Sequence, residues 1–449
     1  MDSLAPELLE DILYHVYEDL SASKLSITLR NCSLVSHQWK EIAQPLLFSK
    51  LMPYGKRYDQ IKLRDTLILY PHLRHLVKCI WLDTDISADI SQPDGNSLID
   101  LYRQLISNPR FQHLTLKQLG DNVKPQSYKT ICDLVSSSHL TVLSAYTLRQ
   151  FPIGIFYQCA SVRELHLYMS CLSGFKGDGD GGLFGDKTLE FRSDRNRSTE
   201  RPHLLHLYFE SAFDDEVTLM KWFLHPDCAF DISELKTFHF LDMSNEVSSY
   251  TLARTLVGSV SSSLEDLALD PPTCFSEEDY YNNLDYTRFD PLPHLRRLKF
   301  SLQQDEFPEG TLWPWTINVL AGLSYPERLE ELELPCILTK YLPENADKNH
   351  GWEDLDILLT SSTPLEVDEP GRHQNFSNLK SVRFGVVAMS SQTRDEEQRI
   401  GEALPSLLPR LHGLGILKVS FSTVIGFVED VDCWYHKNSE SYNRLRIEF

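Results

Sequence analysis

Gly177-x-Gly179-x-x-Gly182 has the spacing that lets backbone amides approach a pyrophosphate at the mouth of a helix. Here the glycines lie well past the nearest strand pattern and open no helical one, and Asp178 and Asp180 between them would repel phosphate. The same aspartates with Gly182 invite a calcium loop. That fails too, because Leu183 stands where such a loop turns on glycine and Leu189 where it needs a bidentate glutamate. His72 with His75, and His203 with His206, are three apart, but neither pair has a third zinc ligand at a workable spacing. Cys159 and Cys171 have no base set beside them by the sequence. No G-x-S-x-G elbow, H-E-x-x-H helix or P-loop occurs. The expectation is a protein that is not an enzyme, without catalytic residues, metal or cofactor, whose work is binding.

Charge narrows what can be bound. The 449 residues carry 43 Lys and Arg against 64 Asp and Glu, a formal net charge of −21. Such a chain is repelled by phosphate backbones and anionic lipid, so neither nucleic acid nor membrane is expected as a partner. No apolar run reaches the length of a membrane span, and the first residues carry acid where a signal peptide carries base. The nine cysteines are scattered, odd in number and form no C-x-x-C, as expected of reduced thiols in the cytoplasm or nucleus.

A recurring phrase supplies the elements that would position a binding surface. L-x-x-L-x-L, with other apolar residues in places, begins at Leu73 (loosely, through Ile80 and Leu82), Phe111, Leu140, Val162, Leu204, Leu235, Leu264, Leu295, Leu329, Leu379 and Leu414. Several spacings are roughly 30 residues, near the upper end for leucine-rich repeats. Between phrases lie helical patterns at Ser97–Ser107, Ser127–Ser137, Asp214–His225, Val247–Ser261, Trp315–Leu323, Trp352–Leu359 and Arg394–Leu408. Strand and helix alternating in this way stack into an α/β horseshoe with parallel strands on the concave face and helices outside. The asparagine that usually follows the strand of a regular repeat is missing, which resembles irregular leucine-rich solenoids. Long interruptions run over Gly174–Arg201, Asp270–Pro293 and Pro343–Asn378, and Gly426–Phe449 is expected to cap the last repeat.

In each phrase the leucines point inward and the residues between them face the open side. That face is rich in His and Tyr at first (His166, Tyr168, His206, Tyr208, His239) and in alternating charge later (Lys299, Arg383 and Lys418 among acids). These eight residues are the candidate cargo contacts. In the charged strip Arg297 would stand beside Glu331 and Lys299 beside Glu333, with Asp266 and Arg383 extending the ladder, so mutual neutralisation outweighs capture of a phosphorylated segment.

The amino-terminal stretch has apolar surface to spare. Pro6 suits a first helical position, and Leu8, Ile12 and Val16 with Leu9, Leu13 and Tyr17 cover an arc of roughly 180° at about 100° per residue. A small bundle needs only about 100°. A second run follows through Leu25, Leu29, Cys32, Val35 and Trp39, and a third through Trp39, Ile42 and Ala43 until Pro45 ends it.

Leu4, Pro6, Glu7, Leu8, Leu9, Ile12 and Leu13, then Cys32-Ser33-Leu34-Val35-Ser36 with Trp39, then Pro45-Leu46-Leu47-Phe48, resemble the F-box motif of fungal F-box proteins. Ala5 departs from the family's proline pair. The resemblance implies docking onto a Skp-type adaptor through Leu4, Pro6, Leu8, Leu9, Ile12, Leu13, Leu34, Val35, Trp39 and Leu47. It also implies attachment to a cullin scaffold, hence the substrate receptor of a ubiquitin ligase. Residues 1–51 would form the three-helix F-box, 52–72 a linking helix, and 73–449 the solenoid that holds the protein cargo.

Overall fold

The computed structural model describes residues 7–9, 11–13, 22–51, 57–83, 102, 104–117, 125–146, 151–168, 172–173, 201–211, 216–242, 247–269, 289–300, 312–336, 351–361, 375–389 and 402–424. The chain divides near residue 202 into two compact units, the second beginning at His203.

The first unit opens with helical residues at 7–9 and 11–13, followed by helices Ala22–Cys32 and His37–Ser49. Ser36 starts the last of these, its hydroxyl accepting the Trp39 amide at 3.4 Å. The run expected from Leu25 through Trp39 is therefore broken: Ser33 to Val35 turn, and Val35 and Trp39 belong to different elements. Pro45, expected to end the following helix, lies inside it, and the helix continues to Ser49. Proline removes one amide donor and crowds the carbonyl four residues earlier. The turn beyond it is held from the other side, by the Ser49 hydroxyl donating to the Leu46 carbonyl at 2.8 Å. Leu13, Leu29 and Ala43 form the buried centre of this bundle, with Cys32, Trp39, Ile42, Leu46 and Leu47 packed around it.

The His37–Ser49 helix runs straight into strand β1 (Lys50–Leu51), which pairs in parallel with β2 (Cys79–Asp83). The linking helix stands at Arg57–Leu69. The sheet continues through β3 (His113–Lys117), β4 (Val142–Tyr146) and β6 (Glu164–Tyr168), each parallel to the last. A separate two-stranded pair joins β5 (Phe151–Pro152) to β7 (Leu172–Ser173). The second unit carries β8 (His206–Ser211), β9 (Thr237–Asp242), β10 (Asp266–Leu269), β11 (Arg297–Phe300), β12 (Glu331–Cys336), β13 (Ser381–Met389) and β14 (Leu417–Val424), again all parallel. Helices intervene at Pro125–Val135, Glu216–Leu224, Val247–Ser259, Leu312–Ala321 and Trp352–Thr360. Parts of the patterns at Ser97–Ser107 and Arg394–Leu408 are helical, at 104–106 and 402–407.

Every phrase of the sequence runs into a strand, and within each unit the phrase sets the register. Leu114 stands beside Leu143 and Leu143 beside Leu165. Leu207, Phe238, Leu267, Leu298, Leu332, Val382 and Leu417 follow one another across the strands of the second unit. A one-residue slip would turn every leucine to the other face, so the apolar pattern specifies this alignment. The rows Leu143, Leu165 and Leu207, Phe238, Leu267 are fully buried or nearly so. At the entry to many strands one carbonyl accepts two amides of the next repeat: Gln112 from Thr141 and Val142 at 2.9 Å each, Glu265 from Arg296 and Arg297 at 2.8 and 3.1 Å.

The asparagine absent after the strands has a counterpart before one. Asn108 is buried, its side-chain amide donating to the Arg74 and Val77 carbonyls at 2.9 and 3.0 Å, and its carbonyl accepting the Arg110 amide. It ties one repeat to the preceding one. Gly174–Arg201 falls almost wholly outside the described residues, as do most of Asp270–Pro293 and the whole expected cap, Gly426–Phe449.

Candidate functional site

Three surfaces carry the residues singled out above. On the first helical segment Leu9 and Leu13 are fully buried, whereas Leu8 is 53% and Ile12 44% exposed. The turn after Cys32 adds Leu34, 77% exposed, and Val35, 59% exposed. Of the ten residues expected to meet an adaptor, these four are open. Leu9 and Leu13 face inward, a correction to their expected place, whereas Trp39 and Leu47 are half-buried, packed against the Leu13–Leu29–Ala43 centre. Leu4 and Pro6 lie outside the described residues. The helix needed one stripe for its own core and kept another for water.

The polar face of the first unit's sheet is closed. His166 and Tyr168, expected on an open surface, are buried, as are Trp81, Thr115, Ser144 and Tyr146. Burial forces these polar groups to satisfy one another. His166 Nε2 lies 2.6 Å from Glu164 Oε1, and its Nδ1 lies 3.0 Å from the Tyr168 hydroxyl. His113 Nε2 lies 2.9 Å from Ser144 Oγ and 3.3 Å from Thr115 Oγ1. Burial above all, with the neighbouring His166 and Lys50, pushes the His113 imidazole down to about 3 against a small opposing pull from Glu164. Trp81, Tyr146 and Tyr168 stack in a column with centroids 5.7 and 4.5 Å apart, and the Lys50 ammonium lies 4.6 Å over Trp81. A serine beside a histidine evokes nucleophilic catalysis, but Ser144 is 1% exposed and presents no face to a substrate.

The second unit's face is half open and internally paired. Tyr208 packs edge-on against His239 at 4.8 Å, and His206 Nδ1 lies 3.0 Å from Thr237 Oγ1. His239 Nε2 donates to Asp266 Oδ1 at 3.2 Å, and Arg297 holds Asp266 Oδ2 at 3.0 Å. Lys299 meets Glu333 at 2.9 Å, the pairing the register predicts. Arg297 and Glu331 are register partners, yet the ion pair expected between them is replaced: Arg297 turns to Asp266, and Arg383 reaches diagonally to Glu331 at 3.4 Å. Diagonal neighbours on a sheet face lie within reach of such long side chains. Burial would raise the carboxyls of Asp266 and Glu333, but the surrounding cations outweigh it and hold both below the ordinary range. Lys418 is half-buried beside Arg383 in register. Arg297, Lys299 and Arg383 are thus each committed to a carboxylate.

The paired histidines of the sequence go separate ways. His203 faces Asp231 and Glu234 at 3.6 and 3.9 Å, while His206 belongs to the sheet face, and His72 meets the Tyr70 ring. Among the described residues no group of three or more His, Cys, Asp or Glu side chains is placed to hold a metal, and no helix is long and apolar enough to cross a membrane. No family model matches the chain, and a comparison with curated proteins found no match.

Proposed function

We propose that this chain is the substrate-recognition subunit of a Skp–cullin–F-box ubiquitin ligase, its amino-terminal helices an F-box and its parallel sheets a leucine-rich-repeat-like solenoid. One observation carries the reading. Leu8 and Ile12 stay exposed on a helix whose Leu9 and Leu13 are fully buried, and Leu34 and Val35 are exposed on the turn after Cys32. Burying a leucine or isoleucine side chain is worth about 1.5–3 kcal/mol, so four of them form a strong apolar anchor for an adaptor. The positions are those at which the sequence resembles the F-box motif.

The mechanism is positional and requires no catalysis by this chain. The helical end holds the adaptor and cullin, the half-open face of the second unit, with His206, Tyr208, His239, Lys299, Arg383 and Lys418, holds the cargo, and a cargo lysine is kept near a ubiquitin-loaded enzyme at high effective concentration. Affinity capture of the full chain tests it. Skp-type adaptor and cullin co-purify with the wild type. The double variant Leu8→Asp/Ile12→Asp loses both, with adaptor affinity down by about 100-fold or more, while its melting temperature is unchanged. Undiminished adaptor binding by the folded variant would overturn the assignment, and adaptor without cullin would make the protein a scaffold rather than a ligase receptor.

A further inference from the structure

The linking helix Arg57–Leu69 ends on apolar side chains that face water. Ile68 is 48%, Leu69 71% and Tyr70 53% exposed, and among the described residues no other run of three large apolar residues stays open. Fraying does not account for it. Leu67 and Leu73 on either side are buried, the Tyr70 amide donates to the Thr66 carbonyl at 2.9 Å, and the Leu73 amide donates to the Tyr70 carbonyl at 3.0 Å. Arg74, in the short helix Pro71–Leu76, reaches back to donate to the Leu67 carbonyl at 2.7 Å and to Gln104. Its own carbonyl accepts the Asn108 side chain at 2.9 Å. The Tyr70 ring lies edge-on to His72 at 6.1 Å. Anchors held in place in this way lose little freedom when a partner covers them.

The charge around this tip runs against that of the chain. Between Lys62 and Lys78 the cations Lys62, Arg64, Arg74 and Lys78 face a single acid, Asp65, in a protein with 43 basic and 64 acidic residues. Lys62, Lys78, His72 and His75 are exposed, and Arg64 holds Asp65 at 2.8 Å. Apolar anchors within a basic surround fit an occupant that is itself apolar and acidic, with the charges steering it and the anchors holding it. We propose that the Ile68–Leu69–Tyr70 tip docks an acidic segment of another protein whose leucine-like side chains cover the three anchors. A second copy of this chain would have to offer a different, acidic face, and such a head-to-tail contact propagates unless it closes into a ring. The proposal does not depend on what Leu8, Ile12, Leu34 and Val35 bind.

The test is fluorescence anisotropy of the full-length chain with a labelled peptide of leucine and glutamate, its leucines spaced for one face of a helix. The same peptide with lysine for glutamate, and one with serine for leucine, are the controls. The leucine–glutamate peptide is expected to bind at least tenfold more tightly than either control, and less tightly as salt is raised. Leu69→Ser/Tyr70→Ser is expected to weaken it at least tenfold, and Lys62→Glu/Lys78→Glu to weaken it and flatten the salt dependence, with melting temperatures unchanged. Leu69→Ser alone serves if the double variant does not fold. Binding is expected to persist in Leu8→Asp/Ile12→Asp, which separates this site from the proposed adaptor surface. Equal affinity for the lysine peptide, or affinity indifferent to the Leu69 and Lys62 variants, would overturn the proposal. So would Leu69-dependent capture by phosphatidylserine vesicles but not by the peptide, or Leu69-dependent self-association in sedimentation without peptide binding.

Discussion

Arg297 and Asp266 meet at 3.0 Å across neighbouring strands, and the same carboxylate receives His239 at 3.2 Å. Burial alone would raise that carboxyl, and the charge and hydrogen bond of His239, followed by Arg297 and Lys299, more than reverse it. A carboxyl held below its unfolded value stabilises the fold above that value and loses the contribution as pH falls through the folded one. The urea midpoint of the wild type is therefore expected to drop as pH is lowered through the carboxylate range. Asp266→Asn, less stable near neutrality by about 2 kcal/mol, shows a shallower acid limb. Equal slopes in both proteins would show that the triad contributes nothing to acid sensitivity.

The two stripes of the first helix separate folding from docking. Leu13 is fully enclosed with Leu29 and Ala43, so Leu13→Ala is expected to destabilise the helical bundle by about 2–5 kcal/mol. Leu8→Ala, on the exposed stripe, is expected to change stability by no more than about 0.5 kcal/mol. Thermal unfolding monitored by circular dichroism distinguishes them, and comparable losses from both would mean that Leu8 is part of the core.

Much of this architecture is legible in the chain because period-2 burial is a local signal. Leu298-Lys299-Phe300 announces a strand, and the phrase beginning at Leu295 aligns it with that beginning at Leu329. Side-chain choice among neighbours is not local. Arg297 lies beside Glu331 in register yet pairs with Asp266, because a long guanidinium chooses between two adjacent acids and Arg383 competes for Glu331. Nor does alternation say whether a second layer covers the polar side: His166 and Tyr168 occupy the same phase as the half-open Tyr208 and His239, but are buried. The ambiguity between the two stripes of the first helix is of the same kind, since both are apolar and only packing, such as that of Leu13 against Leu29 and Ala43, decides between them. Pro45 within a helix reflects tertiary packing overriding a local preference.

Asp356 illustrates a contact no pattern announces. It is buried on the Trp352–Thr360 helix, and its two carboxylate oxygens accept the Arg410 and Leu411 amides at 3.0 Å each, capping the Pro409–Gly413 helix from more than fifty residues away. Asp356→Ala leaves the buried Leu411 amide and the part-buried Arg410 amide unmet and is expected to cost about 2–3 kcal/mol, with Asp356→Asn, which keeps one acceptor, in between. Urea denaturation gives the order. A harmless alanine would mean that the two amides find other acceptors.

His113 is expected to contribute to the pH response of the first unit. Burial, with His166 and Lys50 beside it, pushes the folded imidazole down to about 3, while the unfolded chain takes up a proton near the ordinary histidine value. The unfolded state thus binds more protons than the folded one between those two limits, and stability rises with pH across that window. Lowering pH from 7 to 5 is expected to weaken the unit by on the order of 1 kcal/mol per pH unit once below about 6.5. His113→Gln, which keeps a polar group for Ser144 and Thr115 but takes up no proton, flattens that part of the curve. An imidazole that titrates near 6.5 in the folded protein by NMR, or an unchanged slope in His113→Gln, would place the acid sensitivity elsewhere.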